Sequence, residues 1–238
     1  MHVIGIDLAG PSNMKDTVLT HFIETSTGLQ FMEALTYEEQ GEFALRDHGI
    51  LDYIKNTIHT LQDTSPSTTH FAPLIVAIDA PLSYQDGGGD RPADRALRQF
   101  IQMNGMESRS IMAPTFQRMV YLTLRGVVLS REITQLSHQL NFPIQICEVH
   151  PGAALILRQP IEERKQLRTY KKEMEAFHAL KKSLPSIGLE NIPPEWIISS
   201  HRFDACGAAL AGWHWGNQRS MWHVPADAES MHPYAFVI

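Results

Sequence analysis

Three apolar, strand-like segments of the sequence each run directly into an acidic residue. HVIGI is followed by Asp7, LIVAI by Asp79 and IQIC by Glu148, and a fourth acid, Asp204, lies near the start of the small-residue segment FDACGAALAGW, which is predicted to be helical. Burying an unpaired carboxylate costs several kcal/mol, so an acid at the tip of a buried strand needs a partner. Acids at several such tips favour a shared site, where a divalent cation would be the simplest group to neutralise them.

The bulk composition allows one large α/β domain. The chain has 238 residues, of which 43% are hydrophobic, and this is enough to form a packed core. We therefore predict a single domain over 1–238, with a loop and helical insertion at about 86–140. Cys147 and Cys206 both lie inside apolar runs, which is typical of buried, reduced thiols.

Charge and hydropathy narrow the choice of partner and compartment. The net charge of −6 is the wrong sign for a non-specific nucleic-acid coat, although a local basic site is compatible with it. No apolar run reaches the roughly 18 residues that a membrane helix requires, and the first residues lack the basic and apolar regions of a secretory signal. We expect a cytoplasmic protein that does not bind a membrane.

The order of predicted elements favours a mixed sheet. Strands are expected at 2–9, 17–25, 29–36, 74–82 and 143–149; helices at about 41–62, 117–140, 152–184 and from Ser199 or Ser200 to Gly216; a loop at 64–73; and a linker at 186–194. A three-stranded meander followed by crossover strands predicts a five-stranded mixed sheet with helices on both faces. Right-handed crossovers would bring the tips carrying Asp7 and Asp79 together, at the sheet edge where open sheets bind ligands.

Three arginines follow the second acidic strand. Arg91, Arg95 and Arg98 would lie along one helical face, where planar guanidinium groups suit bidentate contact with substrate phosphates. The alternative is internal ion pairing with Asp90 and Asp94. Both interpretations remain open at this point.

A mixed-charge segment occupies 158–182. Its lysines and arginines are interspersed with glutamates, which is more typical of a solvated helix than of a phosphate-binding face. The four tryptophans of the chain are predicted to pack in the core rather than to stack on nucleic-acid bases.

Several motifs resemble the ribonuclease H-like nuclease and resolvase superfamily. They are VIGIDLAG at 3–10, VAIDAP at 76–81, CEVHP at 147–151 and HRFDACGAALA at 201–211. With RPADRALR at 91–98, the chain more narrowly resembles domain-of-unknown-function family 429, a group of predicted nucleases. The last helix is similar to that of RuvC-type junction resolvases, in which a His or Asp stands three residues before the final catalytic Asp; here the pair is His201 and Asp204.

The resemblance implies a metal-dependent nuclease. Two Mg²⁺ or Mn²⁺ ions would be held by Asp7, Asp79, Glu148 and Asp204, since these ions prefer hard oxygen ligands. His201 would bind a metal when neutral or assist proton transfer, unless it is an ordinary surface histidine. The implied substrate is a nucleic acid or nucleotide, and the chain is a possible homodimer because resolvase-like relatives are often dimers.

Structural roles are also open for the acids. Asp7 and Asp79 could form turns, and Asp204 could cap its helix. Glu148 is either a metal ligand or a residue that orients His150 or an arginine.

Two other function classes are compatible with the sequence. One is a non-catalytic ribonuclease H-like module that binds a nucleotide or a protein. The other is an actin-like phosphotransferase, because GIDLAG resembles the first phosphate loop of sugar kinases; however, the second phosphate loop and the adenosine motif of that class are missing. Retention of all four acids favours catalysis over the module, because an idle cluster of like charges is destabilising.

Overall fold

The computed structural model describes residues 1–64, 71–227, 229 and 231–238, so most of the loop predicted at 64–73 lies outside the described residues. The strands are β1 (His2–Asp7), β2 (Val18–Glu24), β3 (Leu29–Leu35), β4 (Leu74–Asp79), β5 (Ile144–Val149), β6 (Leu189–Glu190), β7 (His223–Val224) and β8 (Ala235–Val237). They form one sheet in the order β6-β3-β2-β1-β4-β5-β8-β7.

Strand directions confirm the predicted mixed sheet. Strands β1, β2 and β3 form an antiparallel meander, and β4 and β5 follow parallel to β1. The ribonuclease H-like resemblance implied this arrangement. The predicted number of five strands was wrong, because the sheet in the described residues has eight. Strands β6, β7 and β8 have only two or three residues each, too few to produce a recognisable alternation of apolar and polar side chains.

The helices cover both faces of the sheet, as predicted. They are α1 (Tyr37–Gln40), α2 (Glu42–Leu45), α3 (Asp47–Thr64), α4 (Pro92–Met103), α5 (Val120–Leu140), α6 (Pro151–Leu157), α7 (Ile161–Leu167), α8 (Met174–Ser183) and α9 (Ser200–Gly216). The single helix predicted at 41–62 is divided between α2 and α3, because Arg46 is extended, and α1 precedes them, separated by Gly41 with a φ of 76°. Over the described part of the chain, no helix combines the length and the apolar character needed to span a membrane.

Side chains along β1 alternate between the two faces of the sheet and pack into two separate core layers. Ile4 and Ile6 pack with α3 and α5 on one face, and Val3 packs with α9 on the other. Within the predicted insertion at about 86–140, α5 contributes buried Leu129 and Ile133 to the first layer. This helix therefore belongs to the layer that covers the sheet.

Candidate metal centre

The register of two parallel strands puts the first two acids side by side. Strands β1 and β4 pair in parallel with Asp7 opposite Asp79, and each is the last residue of its strand. Side chains at equivalent positions of parallel neighbours lie on the same face of the sheet. Both carboxylates therefore project from the carboxyl edge of the sheet, as the element order predicts.

Helix α9 brings the third acid to the same place by packing directly on β1. A Cβ atom at Gly5 would lie 2.2 Å from the carbonyl oxygen of Ala205 and 2.5 Å from the backbone nitrogen of Ala209, so only glycine allows this approach. The carbonyl oxygen of Ala205 also accepts a 3.0 Å hydrogen bond from the hydroxyl of Thr20 in β2. The small residues along α9 thus hold Asp204 near the tip of β1.

The three aspartates form a compact group with the character of a cation site. Each of Asp7, Asp79 and Asp204 offers a carboxylate oxygen, and these oxygens lie within 4.8 Å of one another. Asp7 is 8% exposed and Asp204 is 3% exposed. Hard carboxylate oxygens are the ligand type that Mg²⁺ and Mn²⁺ prefer.

Burial and mutual repulsion make this group costly to ionise without a cation. Burial raises the pKa of Asp7 to about 6, with a smaller contribution from Asp204, while the hydrogen bond from His201 opposes the rise. Burial and the charges of Asp7 and Asp204 raise the pKa of Asp79 well above its ordinary value. A divalent ion would remove both penalties by favouring the charged carboxylates.

Two neighbours of Asp204 were missed by the sequence reasoning. The hydroxyl of Tyr170 donates to Oδ1 of Asp204 at 2.5 Å, and Nζ of Lys171 donates to Oδ2 at 2.6 Å. Burial lowers the pKa of Lys171, but the charges of Asp204 and the other two aspartates outweigh it and raise the pKa on balance. Part of the mixed-charge segment at 158–182 therefore faces the aspartates, and its composition alone carries no signal that separates this lysine from its solvated neighbours.

His201 contacts the aspartate group one helical turn before Asp204. Its Nδ1 donates to Oδ2 of Asp7 at 2.7 Å, and its Nε2 lies 3.8 Å from Oδ2 of Asp16. The hydrogen bond to Asp7 raises the pKa of His201. The spacing of His201 and Asp204 seen in the sequence thus corresponds to a real juxtaposition with the aspartates.

Glu148, the fourth predicted ligand, lies outside this group. Its carboxylate accepts hydrogen bonds from both terminal nitrogens of Arg91, at 2.5 and 2.7 Å, and from the backbone nitrogen of Leu82 at 2.9 Å. All of these groups are buried. Of the two roles that the sequence leaves open, these contacts correspond to that of orienting an arginine.

The three predicted substrate-binding arginines are held by internal contacts. Arg91 is 3% exposed and also pairs with Asp94 at 2.7 Å, so its guanidinium does not face an open crevice. Arg98 makes two 2.5 Å contacts with the carboxylate of Asp90. Arg95 is exposed and donates to the backbone oxygen of Asp90 at 2.8 Å. The internal ion pairing that the sequence leaves open is thus present for Arg91 and Arg98.

A different set of cations lines a cleft beside Asp79. The cleft has a volume of about 360 Å³, and its lining includes Arg109, Arg168, Lys171 and Lys172. Arg168 is partly neutralised by Glu107 at 3.7 Å. This cleft, rather than the arginine-rich helix α4, provides positive charge next to the aspartates.

His150 forms part of the wall of the same cleft in its neutral form. Its Nδ1 accepts a 3.1 Å hydrogen bond from the backbone nitrogen of Ala153, so the ring proton is on Nε2, which donates to the hydroxyl of Ser110 at 3.0 Å. Burial and the nearby charge of Lys171 lower the pKa of His150 to about 4.

The fold and the site define an α/β protein with an aspartate group at the carboxyl edge of a mixed sheet. The chain matches the family described as "Protein of unknown function (DUF429)" over residues 33–230 and belongs to that family. The sequence resemblance is thereby confirmed. Asp79 and Asp204 lie inside the matched range, and Asp7 lies before it.

Two solved structures of Thermus thermophilus RuvC are similar to this chain. The RuvC structure has a TM-score of 0.37 with 14% identity, covering 92% of this chain and 96% of that chain. RuvC in complex with a Holliday junction substrate has a TM-score of 0.41 with 14% identity, covering 92% of this chain and 95% of that chain. Likeness at these TM-scores has no bearing on activity. Curated proteins yield no match.

Proposed function

We propose that this chain is a divalent-metal-dependent phosphodiesterase that acts on nucleic acid. The observation that carries the proposal is the group formed by Asp7, Asp79 and Asp204, whose oxygens lie within 4.8 Å of one another at the carboxyl edge of the sheet. Clusters of buried carboxylates are expected to bind cations, and rigid strand ends suit a site that must hold its geometry.

The donor set fits Mg²⁺ or Mn²⁺. All three donors are carboxylates, and no cysteine belongs to the group, so harder ions are preferred over zinc or copper. Burial first, and repulsion between the aspartates second, raise the pKa values of Asp7 and Asp79, and a bound cation would offset both effects. One or two such ions, when bound, would supply Lewis-acid activation of water and stabilisation of charge on the phosphate.

His201 is suited to hold a proton at the edge of the site. Its Nδ1 proton is donated to Asp7, which fixes the ring, and its side chain is 42% exposed. The ring can therefore exchange a proton at Nε2 with solvent or with a departing oxygen atom. Its raised pKa keeps a larger share of the imidazole protonated near neutral pH.

The basic cleft beside Asp79 would bind the phosphates that flank the scissile bond. Arg109 and Lys172 are exposed on its wall, and neither makes an ion pair with a carboxylate among the described residues. Free cations next to a metal-binding carboxylate are the combination that phosphodiester recognition needs. A local basic surface of this kind is compatible with the net charge of −6.

One contact favours a second candidate, a non-catalytic nucleotide- or protein-binding module. Lys171 already donates to Asp204 at 2.6 Å, which neutralises part of the aspartate group without any metal. In that case the cleft would bind its ligand with no dependence on Mg²⁺ or Mn²⁺.

A cleavage assay on labelled single-stranded, duplex and branched DNA and RNA separates these candidates. We expect cleavage with Mn²⁺ or Mg²⁺, none with EDTA, and at least a hundredfold loss on Asp79→Asn. The matched control is Asp52→Asn, because Asp52 is exposed on α3 away from the site. Metal-independent binding without cleavage of any substrate would favour the module, and full activity of Asp79→Asn would refute the phosphodiesterase.

A further inference from the structure

A second cavity lies at the far end of α9 from the aspartates. It has a volume of about 450 Å³, and its lining includes Arg158, His214 and Arg219. His214 follows Asp204 by ten positions in the same helix, which corresponds to roughly 15 Å along the axis. The cavity is therefore separate from the metal centre.

Arg158 brings an uncompensated charge to this cavity. Its Nη1 donates to the backbone oxygen of Ala154 at 3.0 Å, but its Nη2 is buried and has no hydrogen-bond partner. No carboxylate among the described residues pairs with this guanidinium. Burial lowers the pKa of Arg158 to about 10. A partly buried cation without a carboxylate partner is costly, and a buried donor without an acceptor is rare in folded proteins.

His214 adds a second unpaired group to the same wall. Its Nδ1 is buried and has no hydrogen-bond partner. Burial, together with the charges of Arg158 and Arg219, lowers the pKa of His214 to about 3, so the ring is neutral at physiological pH. Burial, and then the neighbouring cations, thus keep the ring from taking a further positive charge.

Arg219 contributes a second guanidinium, which lies 4.7 Å from the ring centroid of Trp213. Arg219 is exposed and makes no ion pair within the described ranges. Two acids on the adjoining strands β2 and β6, Glu24 and Glu190, form hydrogen bonds with other residues. Glu24 accepts from Nε1 of Trp213 at 2.8 Å, and Glu190 accepts from the hydroxyl of Thr27 at 3.2 Å.

We propose that Arg158, His214 and Arg219 form a binding site for a small oxyanion of the phosphate-monoester class. Such a group offers several acceptor oxygens to the two planar guanidinium groups, neither of which is paired with a carboxylate among the described residues. The cavity is larger than a bare phosphate requires and falls within the size range of small-molecule sites. The proposed site is independent of the phosphodiesterase function.

Calorimetric titration of the metal-free protein with inorganic phosphate, at constant ionic strength, tests the site. We expect saturable binding that Arg158→Met weakens by tenfold or more, since hydrogen bonds between charged groups are the stronger class. Arg219→Met is expected to weaken it as well. One variant should bind phosphate like the parent: Arg131→Met, which removes an exposed arginine of α5.

Two results would overturn the proposal. They are no saturable phosphate binding by the parent at millimolar concentration, and parent-like affinity in Arg158→Met, which would assign the phosphate to a place other than this cavity. If Arg158→Met does not fold, Arg219→Met decides the question, because its side chain is exposed and its removal should be tolerated. Unchanged affinity in that variant would then reject the site.

Discussion

Nζ of Lys171 lies 2.6 Å from Oδ2 of Asp204, so an internal ammonium group already contacts one of the three carboxylates that could hold a metal ion. A divalent ion and this lysine would therefore compete for the same negative charge. The pair also offsets part of the negative charge of an aspartate group in which Asp7 and Asp204 are buried, without any bound cation.

Removing this lysine should strengthen metal binding. We expect Lys171→Met to bind Mn²⁺ a few-fold more tightly, an effect on the order of 1 kcal/mol or less because half of the lysine side chain is exposed and its charge is screened. Calorimetric titration with Mn²⁺ measures the effect. Lys165→Met is the matched control, since Lys165 is exposed on α7. Weaker Mn²⁺ binding by Lys171→Met would contradict competition.

Neutralising Asp7 should stabilise the metal-free protein at neutral pH. The folded-state pKa of Asp7, about 6, lies above the ordinary value of 3.8, so its ionisation reduces stability as the pH rises from about 4 through 6. Asp7→Asn should thus raise the free energy of unfolding at pH 7 by about 1 to 3 kcal/mol, an amount bounded by two pKa units. Urea denaturation in EDTA at pH 7 measures the gain.

The increase in the free energy of unfolding caused by Asp7→Asn should be smaller at pH 4, where Asp7 is already protonated in the folded protein. Asp52→Asn serves as the control, because it removes an exposed carboxylate from α3. A loss of stability in Asp7→Asn at pH 7 would contradict the cost assigned to this buried charge. The same variant should also lose Mn²⁺ affinity, which separates the functional role of Asp7 from its effect on stability.

Glu148 is expected to stabilise the fold without binding metal. Glu148→Gln removes one partner of the buried Arg91 ion pair and should lower the free energy of unfolding by about 3 kcal/mol. Mn²⁺ affinity of the folded variant should stay within about twofold of the parent. Denaturation and metal titration provide the two measurements, with the exposed Glu132→Gln of α5 as the control. A tenfold loss of Mn²⁺ affinity in Glu148→Gln would instead indicate that Glu148 is a metal ligand.

Cations of the cleft beside Asp79 should govern nucleic-acid affinity. Combining Arg109→Met with Lys172→Met should weaken binding to a single-stranded oligonucleotide. Two lost phosphate contacts should reduce the slope of log affinity against log salt by roughly 1.4, at about 0.7 for each contact. Fluorescence anisotropy at several salt concentrations measures the slope.

Arg95→Met is the informative comparison for that double variant. Arg95 is exposed on α4, outside the cleft lining, and should leave both affinity and slope unchanged. If Arg95→Met alone reproduced the loss, the phosphates would follow α4 as the sequence pattern suggests, and the cleft would not be the binding surface.

The main features of the fold could be predicted because they depend on local patterns. The apolar runs that end at Asp7 and Asp79 identify parallel strands, and their alignment at one sheet edge follows from chain direction. Strands of two residues, such as Leu189–Glu190, leave no such pattern and depend on tertiary pairing with β3. The hydrophobic periodicity of the sequence therefore could not predict the number of strands.

The candidate site was predictable where residues follow a strand or share a helix face, as His201 and Asp204 do. Tyr170 and Lys171 were missed because they approach Asp204 from a distant segment whose composition resembles a solvated surface. Conversely, Arg91 sits in a sequence pattern that suits phosphate binding, while its pairing with Glu148 depends on the fold that brings α4 against β5. A sequence shows which residues are charged, but the partner of each charged residue depends on the fold.

The closeness of α9 to β1 at Gly5 has a consequence for how this family can vary. A methyl group at that position would have to push the helix outward, which would carry Asp204 away from Asp7 while leaving every acid in place. The geometry of the aspartate group and the backbone contact are thus tied together, so a chain that retained all its aspartates but acquired a larger residue at this point would be expected to lose the arrangement that could hold a cation while still folding into the same sheet.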